Sequence, residues 1–494
     1  MLTSETSIIA TILLVALGIL GWGFYRARPF GNLGVLAWLQ SVVLMAPWLL
    51  FFGLFAAGIY INIVGVLFLV VVSAGLYIFL GKRLRSEGQD AILKQRATER
   101  LAAESAADGN STPSADIAEL KAEPPSIPDD DLQKIRSIFG IDTFFATEAI
   151  AYQEGAIFKG NLRGEPEAIH ARLSQSLQER LGEQYRLFLI ENIDGKPVVI
   201  VLPSRNDPRP MSLAQKAFAA ILLLATIGTS LEAAGILLNF DLFSQPERFL
   251  EVLPISSGIL AILVSHEIGH WLLARRHQVR LSWPFFLPAV QIGSFGAITR
   301  FESLLPNRKA LFDIALAGPA VGGIISLLML ILGLLLSHPG SLFQVPSEFF
   351  QGSILVGSLA RVVLGSALQS ALINVHPLVI IGWLGLVITA LNLMPAGQLD
   401  GGRIIQAIYG RKTAGRATFA TLILLGIVSL ANNLAMYWAI VILLLQRDLE
   451  RPSLNEISEP DDARAALGLL ALFLMITTLL PLTPALAGRL GIGG

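Results

Sequence analysis

Cysteine is absent from this chain of 494 residues. Disulfides, cysteine zinc sites and thiol catalysis are therefore excluded, and His, Asp and Glu are left as the plausible zinc ligands. Charge is also scarce, because Lys, Arg, Asp and Glu make up only 15% of the residues and the formal net charge is -1. With no overall basic field, the sequence does not indicate nucleic acid as a partner.

Apolar residues are abundant: they make up 53% of the chain, and the mean hydropathy of +0.64 lies outside the range of soluble proteins. Because a span needs roughly 20 apolar residues, we predict an all-α polytopic membrane protein of about ten spans. The apolar runs fall at residues 7–25, 34–56, 59–80, 213–237, 252–275, 310–336, 377–396, 415–431, 433–446 and 464–484. The run 350–371 contains Arg361 and fits an interfacial or re-entrant helix at least as well as a crossing.

The run 252–275 contains the sequence HEIGH, which begins at His266 and ends at His270. Residues four apart lie on one face of a helix, so both imidazoles can reach one ion while Glu267 projects beside it as a candidate base. Ionisable side chains inside a membrane are costly and usually mark a functional site. The pattern predicts metal-assisted hydrolysis.

A catalytic zinc site needs a third protein ligand and keeps one position open for water. His277 is excluded, because seven residues of helix separate it from the second histidine by about 10 Å. Glu302 lies in a polar flank and ranks low. The favoured ligand is Asp400 in NLMPAGQLDGG, where Pro395 and Gly397 should break a span and allow a carboxylate to turn inward. Asp400 can also cap the following helix.

The two motifs together resemble those of the site-2 protease family of intramembrane zinc metalloproteases. Within that family the chain looks most like the branch of plastids and cyanobacteria known as ethylene-dependent gravitropism-deficient and yellow-green proteins. That branch carries a Gly-Asn-Leu-Arg motif, which stands here at residues 160–163. The resemblance covers roughly residues 129–450. One departure is that many members have a second proline in the aspartate motif, where this chain has Gly397.

This resemblance implies a set of roles: His266, His270 and Asp400 bind Zn²⁺, Glu267 is the catalytic base, and Asn392 assists near the substrate carbonyl. It also implies hydrolysis of peptide bonds within or near transmembrane segments, so the expected partners are membrane-protein substrates and the lipid bilayer. Two other functions stay open. A zinc or cation transporter would use the same ligands as a transit site, although its polar residues should occupy several depths. An inactive membrane scaffold would keep the fold without the chemistry.

Residues 282–300 are apolar but form a poor spanning helix, because prolines and glycines interrupt them at Pro284, Pro288, Gly293 and Gly296. We expect a re-entrant hairpin beside the active site. Its extended part can pair with an unwound substrate strand through main-chain hydrogen bonds. The alternative is a loop that lines a cavity.

The polar stretch before the zinc helix has two parts, a charged helix that runs into a Gly- and Pro-containing linker and a region of mixed helix and strand patterns. The second part contains a predicted hairpin around Asp194 and Gly195. We expect five regions: N-terminal spans at 1–81, charged helix and linker at 82–128, a small soluble α+β domain at 129–210, the intramembrane metalloprotease core at 211–450, and a loop and final span at 451–494.

Lys and Arg in short flanks predict the orientation, because such residues favour the cytoplasmic side. With the N-terminus outside, the polar stretch 81–210 and the Asp400 end of its span are cytoplasmic. The first span lacks a basic n-region and a cleavage site, so we expect it to be retained, and no organelle transit pattern is present. We expect the plasma or thylakoid membrane of a cyanobacterium-like prokaryote. The basic residues are Arg26, Arg28, Lys82, Arg83, Arg85, Arg275, Arg276, Arg280, Arg403, Arg411, Lys412 and Arg416.

Overall fold

The computed structural model describes the central and carboxy-terminal parts of the chain almost continuously and the amino-terminal part in pieces. The described residues are 18, 20–28, 31–56, 69, 72, 73, 75–77, 79–81, 83, 127–152, 154–192, 195–430 and 432–492. The chain divides into two compact units, one of residues 1–121 with 420–445 and one of residues 122–419 with 446–494. The predicted linker therefore lies almost wholly outside the described residues, as do most of the predicted spans 7–25 and 59–80.

The described residues are mostly helical. The α-helices are α1 Gly31–Ala56, α2 Asp129–Arg136, α3 Pro166–Leu181, α4 Leu213–Leu237, α5 Phe249–Arg276, α6 Arg308–Leu335, α7 Ile354–Leu364, α8 Pro377–Asn392, α9 Asp400–Val428, α10 Asn433–Val441, α11 Asp462–Leu479 and α12 Pro484–Arg489. The strands are β1 Phe144–Tyr152, β2 Gly155–Leu162, β3 Tyr185–Glu191, β4 Pro197–Pro203, β5 Phe285–Ala289, β6 Gly293–Ile298, β7 Phe343–Pro346 and β8 Leu372–Val375.

A small α/β region precedes the membrane helices. Its four antiparallel strands lie in the order β1-β2-β4-β3, and α3 covers the sheet with Ile169, Leu173 and Leu177, which recur every fourth residue and are all buried. The predicted hairpin is present as β3 and β4, and Gly195 turns with a φ of 75°. Asp194 lies outside the described residues.

The Gly-Asn-Leu-Arg motif forms the end of β2. A side chain at Gly160 would collide with the backbone carbonyl of Phe145, so this position needs glycine for the close approach of β1. The backbone N–H of Arg163 donates to the carbonyl of Thr143 at 2.8 Å. Pro166 then begins α3 at a position where a missing N–H has no cost. The motif therefore has a clear structural role in joining the sheet to its helix.

Four helices in the described part are long and apolar enough to cross a membrane: α4, α5 with the short turn before it, α6 and α11. Each presents large apolar side chains on its outer face, such as Leu224 on α4 and Phe473 on α11, as expected of surfaces that face lipid. The prediction of about ten spans is not confirmed by these residues. The prediction of an all-α membrane part is too strict, because two short two-stranded antiparallel sheets accompany the helices.

Helix α8 is too short to cross the bilayer. Its 16 residues extend about 24 Å, against a hydrocarbon core of about 30 Å. The predicted span 377–396 therefore ends as a helix at Asn392, before Pro395. An irregular segment follows, and most of residues 393–399 are buried in the protein, which is the setting in which non-helical backbone is tolerated at membrane depth. This early end places the aspartate motif inside the fold.

Strands β5 and β6 form the hairpin predicted for residues 282–300. At its base, the ring of Phe285 lies 6.2 Å from that of Phe218 on α4. Near its turn, the carbonyl of Gly293 accepts a hydrogen bond from Thr229, which is about 16 Å further along the same helix. The hairpin therefore enters the helix bundle from one side and returns to that side, as a re-entrant element does.

The two ends of the run 350–371 lie close together in this structure. The strands on either side of it, β7 and β8, pair antiparallel, so the chain enters and leaves the segment at the same place. Between them lie only α7 and two short 3-10 turns. Of the two interpretations that the sequence allowed, the interfacial or re-entrant helix is the one that the strand pairing supports.

This strand pairing predicts that Leu342 and Leu372, both exposed, lie on the same side of the membrane. Single cysteines at these positions should react with an impermeant maleimide from one face, and a cysteine at the exposed Ala171 of α3 should react from the other. The native chain has no cysteine to compete. Labelling of Leu342→Cys and Leu372→Cys from opposite faces would show that residues 347–371 span the membrane.

Candidate active site

Helix α5 carries both histidines of the HEIGH motif toward the protein interior. His266 and His270 are 8% and 5% exposed, while Ile268 and Trp271 on the other face are about half exposed. The spacing of four residues puts the two rings on one face, and their Nε2 atoms lie 3.1 Å apart. The helix therefore presents two imidazole nitrogens at a single point.

Asp400 completes this cluster. Its Oδ2 lies 3.2 Å from Nε2 of His266 and 3.4 Å from Nε2 of His270. Three ligand atoms bound tetrahedrally to zinc at about 2.0–2.1 Å would lie about 3.4 Å from one another. The donor set of two imidazoles and one carboxylate therefore fits zinc in chemistry and in spacing, and it leaves a fourth position for water.

The backbone after α8 brings Asp400 to the histidines. Gly397 has a φ of 49°, and a side chain there would collide with the carbonyl of Gln446, so glycine is required on both grounds. Its N–H donates to the Thr418 hydroxyl at 2.8 Å. Asp400 is then the first residue of α9, where the positive end of the helix dipole favours a carboxylate. The departure from the family's second proline is therefore accommodated by a tight turn.

His270 is oriented by a main-chain partner on α6. Its Nδ1 lies 2.7 Å from the carbonyl oxygen of Ile314, and this distance fits an N–H that donates to the carbonyl. With the proton on Nδ1, the lone pair of Nε2 faces His266 and Asp400. This carbonyl partner was not predicted from the sequence, because any residue type can supply it.

Small residues allow α6 to pack this closely against α5. A side chain at Gly318 would collide with the His270 ring, and a Cβ at Gly322 would lie 3.1 Å from the Cβ of His266. These two glycines form a Gly-xxx-Gly pair on one face of α6. That spacing is the usual sequence signal for a close helix contact in membranes, and it would have identified this residue pair.

Glu267 lies beside the group formed by His266, His270 and Asp400, and it points toward the β5–β6 hairpin. A carboxylate oxygen of Glu267 lies within 4.8 Å of the two histidine nitrogens, but Asp400 is nearer, and Oε2 of Glu267 accepts a hydrogen bond of 2.8 Å from the Thr299 hydroxyl. A cavity of about 20 Å³ lies between Glu267, His270, Asn392 and Asp400, which is enough for one water molecule. The geometry suits Glu267 as a proton acceptor better than as a ligand.

Asn392 ends α8 at the edge of the same cavity. It is buried, its Nδ2 donates to the carbonyl of Ile388 at 3.1 Å, and its amide lies against Gly296 of β6. Glycine at that position leaves the space that the amide occupies. Asn392 is therefore close to both the hairpin and the group formed by His266, His270 and Asp400.

Two rejected ligand candidates lie elsewhere. His277 at the end of α5 has its Nε2 2.9 Å from Oδ2 of Asp313, which also pairs with Arg464 of α11. Glu302 accepts the backbone N–H of Met211 at 2.9 Å. Neither belongs to the cluster formed by the HEIGH motif and the aspartate motif.

Arg403 corrects one prediction from the sequence. The sequence predicts a charge that flanks a membrane span, yet Arg403 is only 6% exposed and pairs with the buried Glu450 at 3.0 Å. Its position one turn after Asp400 puts it beside the cavity that His270 and Asp400 line, instead of at a solvated surface. Its charge therefore says nothing about orientation.

Comparison with known proteins agrees with this geometry. The family model described as Peptidase family M50 matches residues 254–431, which include both metal motifs. The chain is 39% identical over 394 residues, 72% of each chain, to the protein named "Probable zinc metalloprotease EGY1, chloroplastic" of Arabidopsis thaliana. The chain belongs to peptidase family M50. This membership confirms the predicted resemblance and the predicted class, an intramembrane zinc metalloprotease of the site-2 protease type with zinc as its metal.

Other relatives agree with the same branch. The protein named "Probable zinc metalloprotease EGY2, chloroplastic" of Arabidopsis thaliana is 39% identical over 71% of this chain and 65% of its own length. The one named "Probable zinc metallopeptidase EGY3, chloroplastic" is 34% identical over 71% and 65%, and a model described as EGY3 middle domain matches residues 133–208. No solved structure matches. The names of these relatives describe them as chloroplastic proteins, so the comparisons do not support the predicted prokaryotic origin.

The packing of α6 against the histidines predicts a sharp contrast between two neighbouring glycines. Gly318→Ala puts a methyl group into the His270 ring, whereas the nearest atom to a Cβ at Gly323 is the Thr389 methyl at 3.4 Å, an ordinary contact. Gly318→Ala should lose most of its zinc and its cleavage activity, and Gly323→Ala should keep both. Zinc content by atomic emission would contradict this packing if Gly318→Ala bound metal normally.

Proposed function

We propose that this chain hydrolyses peptide bonds within or beside the transmembrane segments of other membrane proteins. In this proposal His266, His270 and Asp400 hold the zinc, Glu267 is the general base, and Asn392 steadies the substrate carbonyl. The observation that carries it is the convergence of three potential ligand atoms within 3.4 Å, with a second carboxylate, that of Glu267, beside them. Membership in peptidase family M50 supports the same reaction.

The catalytic cycle follows from which groups can hold a proton. When bound, zinc supplies Lewis-acid chemistry that acidifies water and polarises a carbonyl. Glu267 accepts a proton from the attacking water and later delivers it to the nitrogen of the leaving amine. Asn392 can donate an amide N–H toward the oxygen that gains charge during the attack. The helices around the site exclude bulk water, which strengthens each of these interactions.

The β5–β6 hairpin is the proposed substrate platform. Strand β6 ends beside Thr299, which contacts Glu267, and its Gly296 lies against Asn392. In the described part of the chain no further strand pairs with this hairpin. An unwound substrate segment can add to it through main-chain hydrogen bonds and so pass its peptide bonds between the base and the amide.

A transporter is the weaker alternative. Transport needs polar side chains at successive depths, whereas the His, Asp and Glu cluster found among the described residues is confined to one level of α5. An inactive scaffold is also less favoured, because each proposed catalytic side chain is present with a suitable partner. Peptide hydrolysis accounts for the base at Glu267, which neither alternative requires.

We also propose the predicted domain boundaries, with the soluble α+β domain at 129–210 and the membrane core at 211–450. The family matches to residues 133–208 and 254–431 support this division. The proposed location is the plasma or thylakoid membrane of a cyanobacterium-like prokaryote.

Glu267→Gln tests the general base. Glutamine keeps the size of the side chain but cannot accept the proton, so cleavage of a model single-span substrate should fall roughly 10²- to 10⁴-fold while zinc content stays normal. Glu251→Gln is the matched control, because Glu251 lies in the exposed first turn of the same helix. Cleavage by Glu267→Gln at a rate near that of Glu251→Gln would rule out this role.

Asp400→Ala tests the third ligand. The purified protein should hold one zinc per chain, and the variant should bind zinc at least tenfold more weakly because one of three protein ligands is lost. Glu302→Gln changes the other carboxylate considered for this role and should keep its zinc. The assignment fails if Asp400→Ala binds zinc as tightly as Glu302→Gln in equilibrium dialysis.

A further inference from the structure

A buried hydrogen-bonded chain leads away from Glu267. Thr299 is buried, with 8% of its surface exposed, and its hydroxyl donates to Oε2 of Glu267 at 2.8 Å. Thr299 directly follows β6, so the residue that binds the carboxylate comes immediately after the proposed substrate strand. With Oε2 occupied in this way, the other oxygen of Glu267 is the one left to accept a proton.

Arg403 fixes the backbone of Thr299. Its Nη2 donates to the carbonyl of Thr299 at 2.8 Å, and its Nε and Nη2 both lie near Oε2 of Glu450, at 3.1 and 3.0 Å. The guanidinium also lies 4.8 Å from the centre of the Phe301 ring. An arginine can serve these partners together because its donors form a rigid planar fork.

Glu450 is held from several sides. Its Oε1 accepts the N–H of Arg451 at 3.2 Å, and its backbone carbonyl accepts from Gln406 at 3.1 Å and from Arg411. A few residues later, the backbone N–H of Glu456 donates to the carbonyl of Leu189 in the four-stranded sheet at 2.9 Å. Glu450 is therefore a fixed anchor for Arg403.

The burial of this ion pair calls for an explanation other than stability. Removing both charges from water carries a large penalty that the attraction between them repays only in good geometry, so a buried pair contributes little net stability. Here two hydrogen bonds, one to the carbonyl of Thr299 and one from its hydroxyl, connect Arg403 of the pair with the carboxylate of Glu267. Fixing the position of that carboxylate is a function that the pair can perform.

We propose that Thr299 is a positioning residue for Glu267 and that Arg403 and Glu450 hold Thr299 in place. This inference rests on the proposed function, because it requires Glu267 to be the general base. A general base must hold one carboxylate oxygen toward the water. Without a further contact, the side chain of Glu267 could rotate that oxygen away. The Thr299 hydroxyl removes that rotation by binding Oε2, and the ion pair keeps the hydroxyl from moving with the hairpin.

The test compares two substitutions at Thr299 in the full-length, zinc-loaded protein. Thr299→Val has the same shape without the hydroxyl, so kcat for a model single-span substrate should fall roughly 10- to 100-fold, while KM and zinc content stay unchanged. Thr299→Ser restores the hydroxyl and should recover most of kcat. A loss confined to KM, a loss of zinc, equal losses in both variants, or no loss in Thr299→Val would each overturn the proposal.

The connection to Glu450 is tested by a double variant. Glu450→Gln should lower kcat in the same direction, and Thr299→Val with Glu450→Gln should be no slower than Thr299→Val alone, because both act through one hydroxyl. Losses that multiply would show that Glu450 acts by another route. Glu267→Gln separates the two levels: if it stays active the proposed function fails, and if it is inactive while Thr299→Val is normal only the positioning role fails.

Discussion

Two imidazoles and one carboxylate meet within 3.4 Å in the interior of a helix bundle. Polar groups at such a place carry a large desolvation cost unless something satisfies them, and a bound zinc ion does so for all three at once. The surrounding architecture can be understood from this requirement. Helix α5 must bring both histidines to one point, and the chain must return to that point 130 residues later with Asp400.

The backbone meets this requirement through close approaches and an interrupted helix. Gly318 lets α6 lie against His270, and the carbonyl of Ile314 on the same helix orients that ring. Helix α8 stops at Asn392, and the turn at Gly397 directs Asp400 back toward α5. The β5–β6 hairpin lines one side of the cavity, so one compact region contains the proposed metal ligands, the proposed base and an extended strand.

Much of this arrangement follows from residue spacing. The interval of four between His266 and His270 predicts a shared face, and Pro395 with Gly397 predicts the break that frees Asp400. The prolines and glycines that interrupt the apolar run 282–300 predict the hairpin there. Each of these signals is local, because it depends on the geometry of one helix or one turn, and the structure agrees with each.

Other parts depend on contacts between distant segments, which no local pattern encodes. In the sequence Arg403 resembles a charge that flanks a membrane span. Its partner Glu450 lies 47 residues later in the sequence and pairs with it inside the fold. Thr299 has no sequence signature, because nothing in the sequence distinguishes it from any other Ser or Thr residue that precedes a polar loop. The run 350–371 has the hydropathy of a span, and only the pairing of β7 with β8 shows that both of its ends lie together.

The most direct measurement of the central claim is X-ray absorption spectroscopy at the zinc edge of the purified, zinc-loaded protein. The account predicts nitrogen and oxygen ligands at about 2.0–2.1 Å, with the outer-shell scattering of two imidazoles. Asp400→Ala should keep the imidazole signal in any zinc that it retains. Scattering from three or more imidazoles, or from none, would contradict a site built from His266, His270 and Asp400.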